Sequence, residues 1–153
     1  MNIFKLAAIS SLILPATAMV ALAAGPNPAF KARHDNFEKM GKATKGVFDE
    51  LKKPAPDVKL IQTNSKVIAG AAVKVKGHFP KGTGPEAGVK TEALPVIWER
   101  NADFNAAADK LVAASKGFQA AAATGDLAKI GQAAGALGGS CKNCHDTFRK
   151  PRS

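Results

Sequence analysis

Several features that define other protein classes are scarce or missing in this sequence. Its 153 residues include only two cysteines and three histidines, and 12 acidic residues stand against 22 lysines and arginines. No segment shows convincing alternation of apolar and polar residues, and no internal repeat or low-complexity tract is present beyond an enrichment in alanine. The sequence therefore argues against sheet-rich and repeat architectures and favours an all-α fold.

The longest apolar segment lies at the N-terminus. Residues 1–5 form a short start whose one charged side chain is the positive Lys5, residues 6–15 are almost wholly apolar, and Ala21-Leu22-Ala23 has the small-x-small pattern that signal peptidases recognise. The apolar run is too short to span about 30 Å of hydrocarbon, which argues against the alternative of a membrane anchor. We predict a signal peptide over residues 1–23, cleaved after residue 23 or 24, and a soluble mature protein in the periplasm.

Cleavage leaves about 130 residues, which is enough for one domain with a hydrophobic core but not for two. We therefore predict a single domain over residues 24–153. The formal net charge of +10 indicates a basic surface, which we interpret as solvated lysines. A basic docking patch for a partner is the alternative. Export argues against nucleic acid as the partner.

The two cysteines lie three residues apart in the motif Cys141-Lys142-Asn143-Cys144-His145. On a helix this spacing places both sulfurs on one face, where they can add to the two vinyl groups of a haem, and His145 can bind the iron. A zinc site would need four ligands, and no paired motif accompanies these three. A thioredoxin-like site would need a βαβ setting. A disulfide is the remaining alternative, and we predict one covalent haem c.

Four stretches repeat apolar residues at steps of three and four, which is the spacing of a packed helix face. The first ends before Pro54, the second covers about residues 57–76, and the third begins near Pro95 and closes at Thr124-Gly125-Asp126. The fourth continues into the haem motif, so that the cysteines face the core and the haem enters the bundle. Short connections between the first two and the last two helices predict an antiparallel up-down four-helix bundle.

Two other features point to the surroundings of the haem. The connection over residues 77–93 is long, rich in glycine and proline, and without periodicity, and we predict that it passes the haem edge. Arg33 occupies a seam position between Phe30 and Phe37, where an apolar side chain is expected. A haem propionate is a suitable partner for a buried guanidinium. The alternative is an arginine that extends along its stem to solvent.

The chain resembles the cytochrome c′ family, the high-spin branch of the class II c-type cytochromes. The resemblance rests on residues 31–40, 95–99 and 141–150, and it covers nearly the whole predicted mature chain. It implies a four-helix bundle, commonly a homodimer, whose haem iron is held by one histidine and has an open or apolar sixth position.

The resemblance also implies roles for individual residues. Arg33 matches the family's propionate-binding arginine, and Phe37 matches its distal pocket residue. Glu92, with Thr91 beside it, falls where the family approaches the haem from the loop. Arg149 matches the basic residue near the proximal ligand. His34 stands where the family often has a glutamine, and we include it among the haem-contacting residues.

These roles predict a five-coordinate, high-spin haem protein that binds small gases, nitric oxide and carbon monoxide, and is able to pass single electrons to redox partner proteins. The alternative is a low-spin electron-transfer cytochrome with Met40 as sixth ligand, although a methionine at helical spacing is usually a core residue. His78 is a further rival ligand, which we interpret as a solvated loop histidine. We predict no enzymatic activity, because cleavage of an O–O bond needs a positioned proton donor.

Overall fold

Helices dominate the part of the chain that the computed structural model describes, residues 28–151. Five α-helices occur there: α1 (Pro28–Glu50), α2 (Val58–Ala72), the one-turn α3 (Val96–Glu99), α4 (Asn101–Thr124) and α5 (Leu127–Phe148). The only β-type pairing in this range is an isolated bridge between Ala93 and Arg149. The prediction of an all-α fold with four long helices is confirmed. The predicted signal peptide lies outside the described residues.

The turn between α1 and α2 is fixed by two acidic side chains. Glu50 is buried, and its carboxylate accepts a hydrogen bond from the backbone N–H of Asp57 at 3.0 Å while pairing with Lys53 at 2.5 Å. The side chain of Asp57 in turn accepts from the N–H of Leu60 at 3.1 Å, which caps α2. The chain therefore reverses within a few residues, as an antiparallel pair requires.

Two helix boundaries differ from the predicted ones. The second helix ends at Ala72 rather than near residue 76, because the last N–H groups bond to carbonyls three residues back and the turn tightens into the 3₁₀ helix Lys76–His78. The third helix is interrupted at Arg100, whose φ of −113° and ψ of 51° are not helical. Apolar periodicity continues through both places, so the sequence pattern did not reveal them.

Long helices that are neighbours in sequence pack against each other: α1 on α2, α2 on α4, and α4 on α5. Their facing stripes form one core, in which the largest fully buried side chains are Phe104, Phe118, Ile61, Ile68, Ile97, Ile130, Leu137, Val47 and Val75. Residues 28–151 contain no helix that is both long and apolar enough to cross a membrane.

Replacing Asp57 with Ala should lower the free energy of unfolding by about 0.5–2 kcal/mol, because the first turn of α2 loses its side-chain acceptor. Denaturant unfolding of the purified protein measures this loss. Asp57→Asn keeps an acceptor oxygen without the charge and should retain most of the stability. Equal losses in the two variants would contradict the capping role.

Candidate haem site

Cys141 and Cys144 lie one turn apart near the C-terminal end of α5. Both are half-buried, pack against the hydrophobic core and form no disulfide. Burial raises the pKa of both thiols above its ordinary value, and so keeps them protonated. The structure thus shows two free thiols on the core-facing side of one helix, and not the alternative disulfide between them.

A cleft of about 310 Å³ between α4 and α5 lies beside Cys144. Ser140, one turn before Cys144, also lines it, and its hydroxyl oxygen is buried without a hydrogen-bond partner in the described part of the chain. A buried hydroxyl without a hydrogen-bond partner is rare in folded proteins, and a further group bound in this cleft would account for it. His145 follows on the exposed side of α5. The donor set of Cys141, Cys144 and His145 therefore fits haem c.

Four aromatic rings connect α1 to the helix that carries the cysteines. The ring centroids of Phe37 and Phe79 are 6.2 Å apart, those of Phe79 and Phe104 are 4.7 Å apart, and those of Phe104 and Phe148 are 5.4 Å apart, all edge-on. Phe148 lies one turn beyond Cys144 on α5. The structure thus brings Phe37 and the cysteines to the same end of the bundle.

Met40 lies on the same side of α1 as Phe37, one turn further along the helix. It is buried in the hydrophobic core with only 7% of its surface exposed, whereas Phe37 is half-buried and contacts Phe79. This burial agrees with the interpretation of Met40 as a core residue.

Arg33 is 4% exposed, so the alternative of an arginine that extends to solvent is wrong. Its guanidinium donates hydrogen bonds to the carbonyl of Thr83 at 3.0 Å and, at 3.4 Å each, to the Thr83 hydroxyl and the carbonyl of His78. It also lies 4.8 Å from the centroid of the Phe79 ring. Burial lowers the pKa of Arg33, and the nearby charge of Glu86 opposes this effect. Here the buried cation is held by the loop.

The loop residues expected near the haem meet the end of α5. Arg149 forms an ion pair with Glu92, with its Nε 2.7 Å and its Nη2 2.5 Å from the same carboxylate oxygen. The backbone reinforces this contact, since Lys150 N–H donates to the Glu92 carbonyl at 2.8 Å. Thr91 is half-buried, and its hydroxyl accepts the N–H of Ala93 at 3.1 Å. The ion pair between Glu92 and Arg149 therefore attaches the end of the loop to the chain just after His145.

His34 does not join this group, because it lies on the outer face of α1 with 64% of its side chain exposed. Together with Asp35 and Glu38 it forms the only cluster of three possible metal ligands found within residues 28–151, and Lys31 and Lys42 pair with the two carboxylates. The cysteines belong to no such cluster in that range. The zinc alternative therefore lacks a ligand set there.

His78 is not the solvated loop histidine that we expected. It is half-buried in the 3₁₀ helix after α2, and its Nδ1 is buried with no hydrogen-bond partner within the described residues. Burial lowers the pKa of His78, and the charges of Lys74 and Arg33 lower it further. The neutral ring is therefore the form that this environment favours.

Sequence reasoning missed Phe79 and Thr83. Both are buried, at 8% and 6% exposure, although the loop that carries them shows no periodicity. Periodicity finds residues on regular elements, and neither lies on a long helix. One signal was available: Phe79 is the only phenylalanine, tryptophan or tyrosine between residues 77 and 93.

Comparisons with known proteins agree with this geometry. The family model described as Cytochrome C′ matches residues 28–149. A cytochrome c′ from Pararhodospirillum photometricum is 38% identical over 122 residues, covering 80% of this chain and 90% of that protein. The crystal structure of cytochrome c′ from Rubrivivax gelatinosus has a TM-score of 0.74 at 36% identity and covers 80% of this chain and 94% of that one. A nitric oxide complex of a mutant cytochrome c prime from Alcaligenes xylosoxidans has a TM-score of 0.73 at 30% identity, with 81% and 94% covered.

Lowering the pH should destabilise the protein through His78. Because its pKa is lowered in the folded protein, the unfolded chain takes up the proton first as the pH falls below the ordinary value of about 6.5. The stability due to the neutral ring is thus present above that pH and lost as the pH falls toward the folded pKa. Wild type should lose more unfolding free energy than His78→Gln between about pH 7.5 and pH 5.5.

The matched control is His34→Gln, which removes an exposed imidazole from α1. Denaturant unfolding of the three proteins at both pH values gives the comparison. A wild type and a His78→Gln variant that lose the same stability would contradict the assigned environment of His78.

Proposed function

Because the chain belongs to the cytochrome c′ family, we propose that it is an exported periplasmic protein whose mature part, residues 24–153, carries one covalent haem c. Its iron would be five-coordinate and high-spin, and would bind small gases such as nitric oxide and carbon monoxide. The observation that carries the proposal is the pair of unpaired, half-buried thiols one turn apart on α5, followed at once by His145.

In this proposal each residue of the site has a distinct task. Cys141 and Cys144 would hold the haem through thioethers, and His145 would bind its iron. Arg33 stabilises a propionate, since a buried guanidinium can donate to a carboxylate as well as to the loop carbonyls it already contacts. When bound, haem would supply an iron able to take up a small gas and to exchange one electron.

Other residues line or close the site. Glu92 and Arg149 hold the loop against the end of α5 through their ion pair. Thr91 lies next to Glu92 and would approach the haem from the loop. His34 is included on the family resemblance alone, because its side chain is exposed on the outer face of α1. These assignments rest on the family resemblance and on the shared position at one end of the bundle.

The apolar character of the Phe37 side supports selection for uncharged ligands. Phe37 packs against Phe79, and neither ring offers a lone pair to the iron. An anion such as cyanide would have to lose its hydration shell to enter this apolar region, and the free energy of that desolvation is much larger for an anion than for a neutral gas. The nitric oxide complex of the Alcaligenes xylosoxidans relative supports the same ligand class for this chain.

We propose binding and single-electron exchange with redox partner proteins rather than catalysis. Peroxide cleavage needs a group that gives and takes a proton near the iron. Arg33 cannot serve, because a guanidinium keeps its proton in proteins. A homodimer is proposed as well, on the family resemblance alone.

Replacing Phe37 with Ala should speed carbon monoxide association with the ferrous protein, because a ligand no longer has to displace the ring. Phe37→Met should place a thioether in the same position and move the ferric iron toward a six-coordinate, low-spin state. Flash photolysis measures the first effect, and the absorption spectrum of the ferric protein measures the second.

Met40→Leu is the matched control, since it exchanges one apolar core residue for another of similar volume. It should leave the spin state and carbon monoxide binding nearly unchanged. If Met40→Leu converted a low-spin protein into a high-spin one while Phe37→Ala left gas association unchanged, the electron-carrier alternative with Met40 as sixth ligand would replace the proposal.

A further inference from the structure

Phe79 reaches the Phe37 side of the site from the loop after α2. Its ring is 8% exposed and makes edge-on or tilted contacts with three other rings: Phe37 at 6.2 Å, Phe104 at 4.7 Å and Trp98 at 5.9 Å between centroids. A ring with neighbours on this many sides has little room to turn while its backbone stays in place. The position of Phe79 therefore depends on how firmly the loop that carries it is held.

The loop is pinned on both sides of Phe79 by Arg33. The guanidinium donates hydrogen bonds to the carbonyl of His78, the residue before Phe79, and to both oxygens of Thr83, four residues after it. We call this set of three hydrogen bonds the Arg33–Thr83 latch. It joins α1, which also carries Phe37, directly to the loop that carries Phe79.

Local contacts stiffen the loop inside the latch. The Thr83 hydroxyl donates to the carbonyl of Pro80 at 2.7 Å, and the indole Nε1 of Trp98 donates to the same carbonyl at 2.9 Å. At Gly84 a Cβ would lie only 2.9 Å from the Trp98 ring, so the close approach of the loop to α3 requires glycine there. Thr83 therefore links the latch to a tightly packed turn.

The latch leaves Arg33 able to serve the haem as well. A guanidinium has five N–H donors, and its three hydrogen bonds to residues of the described range use only Nη1 and Nη2. The Nε–H remains available toward a carboxylate. One side chain can thus hold both the loop and a propionate.

Resting on the function proposed above, we propose that Phe79 is a second gate for small uncharged gases. In this proposal the Phe37 ring moves away from the site only when the Phe79 ring moves as well. The latch determines how easily the loop lets Phe79 move. Thr83 is then a positioning residue, which acts on gas access through Phe79 and touches neither the gas nor the iron.

The test measures carbon monoxide association by flash photolysis in the ferrous, haem-loaded protein. Phe79→Leu should speed association by about tenfold, because Phe37 loses the ring against which it packs. Thr83→Val, which keeps the shape of the side chain but removes the hydroxyl, should speed it in the same direction, and Thr83→Ser should retain the wild-type rate.

Phe118→Leu is the control for loss of aromatic packing alone. Phe118 is fully buried on α4, about 21 Å along that helix from Phe104, and should affect stability without affecting association. Hydrogen exchange of the backbone amides over residues 78–84 gives a readout independent of gas binding, and exchange should be faster in Thr83→Val than in wild type or Thr83→Ser.

The outcomes separate the two proposals. If wild type binds carbon monoxide and Phe37→Ala speeds its association, but Phe79→Leu and Thr83→Val match wild type, the second gate is wrong and the proposed function stands. If Phe118→Leu speeds association as much as Phe79→Leu does, the effect comes from a general loss of core packing, and the second gate is wrong. A wild type that binds no carbon monoxide overturns both.

Discussion

In the proposed function, the last turns of α5 serve the hydrophobic core and hold a covalent cofactor at once, and the rest of the site depends on how both are achieved. Cys141 and Cys144 occupy seam positions one turn apart, so that both thiols face inward, while His145 turns to the other side. Attachment at these positions would commit the haem to the bundle end that holds Phe37 and Arg33. The aromatic contacts that run from Phe37 to Phe148 connect α1 to the end of α5 at that end of the bundle.

Arg33 is the second constraint, because a cation with 4% exposure is costly unless its donors find acceptors. Loop carbonyls, the Thr83 hydroxyl and the Phe79 ring supply them. The same contacts order a loop that has no helical periodicity of its own. A charged residue in an apolar seam thus connects α1 to the loop, and it does so beside the residues proposed to control access to the iron.

The sequence allowed the four long helices to be predicted, because apolar spacing is a local pattern, while haem attachment at Cys141 and Cys144 stays a prediction. It did not allow the end of α2 or the break at Arg100 to be predicted, because apolar periodicity continues where the backbone leaves the helix. The contacts of Arg33 were also out of reach, since its loop partners lie 45 and 50 residues away. The resemblance supplied the candidate roles of Glu92 and Arg149, and the structure added that they pair with each other.

The most direct test of the central claim is the intact mass of the protein exported by a cell able to make c-type cytochromes, measured under denaturing conditions. The account predicts one species, with the mass of a chain cleaved after residue 23 or 24 plus one haem. Cys141→Ser and Cys144→Ser together should remove the added mass. A wild-type chain that appears without haem, or with only a disulfide between Cys141 and Cys144, would contradict the account.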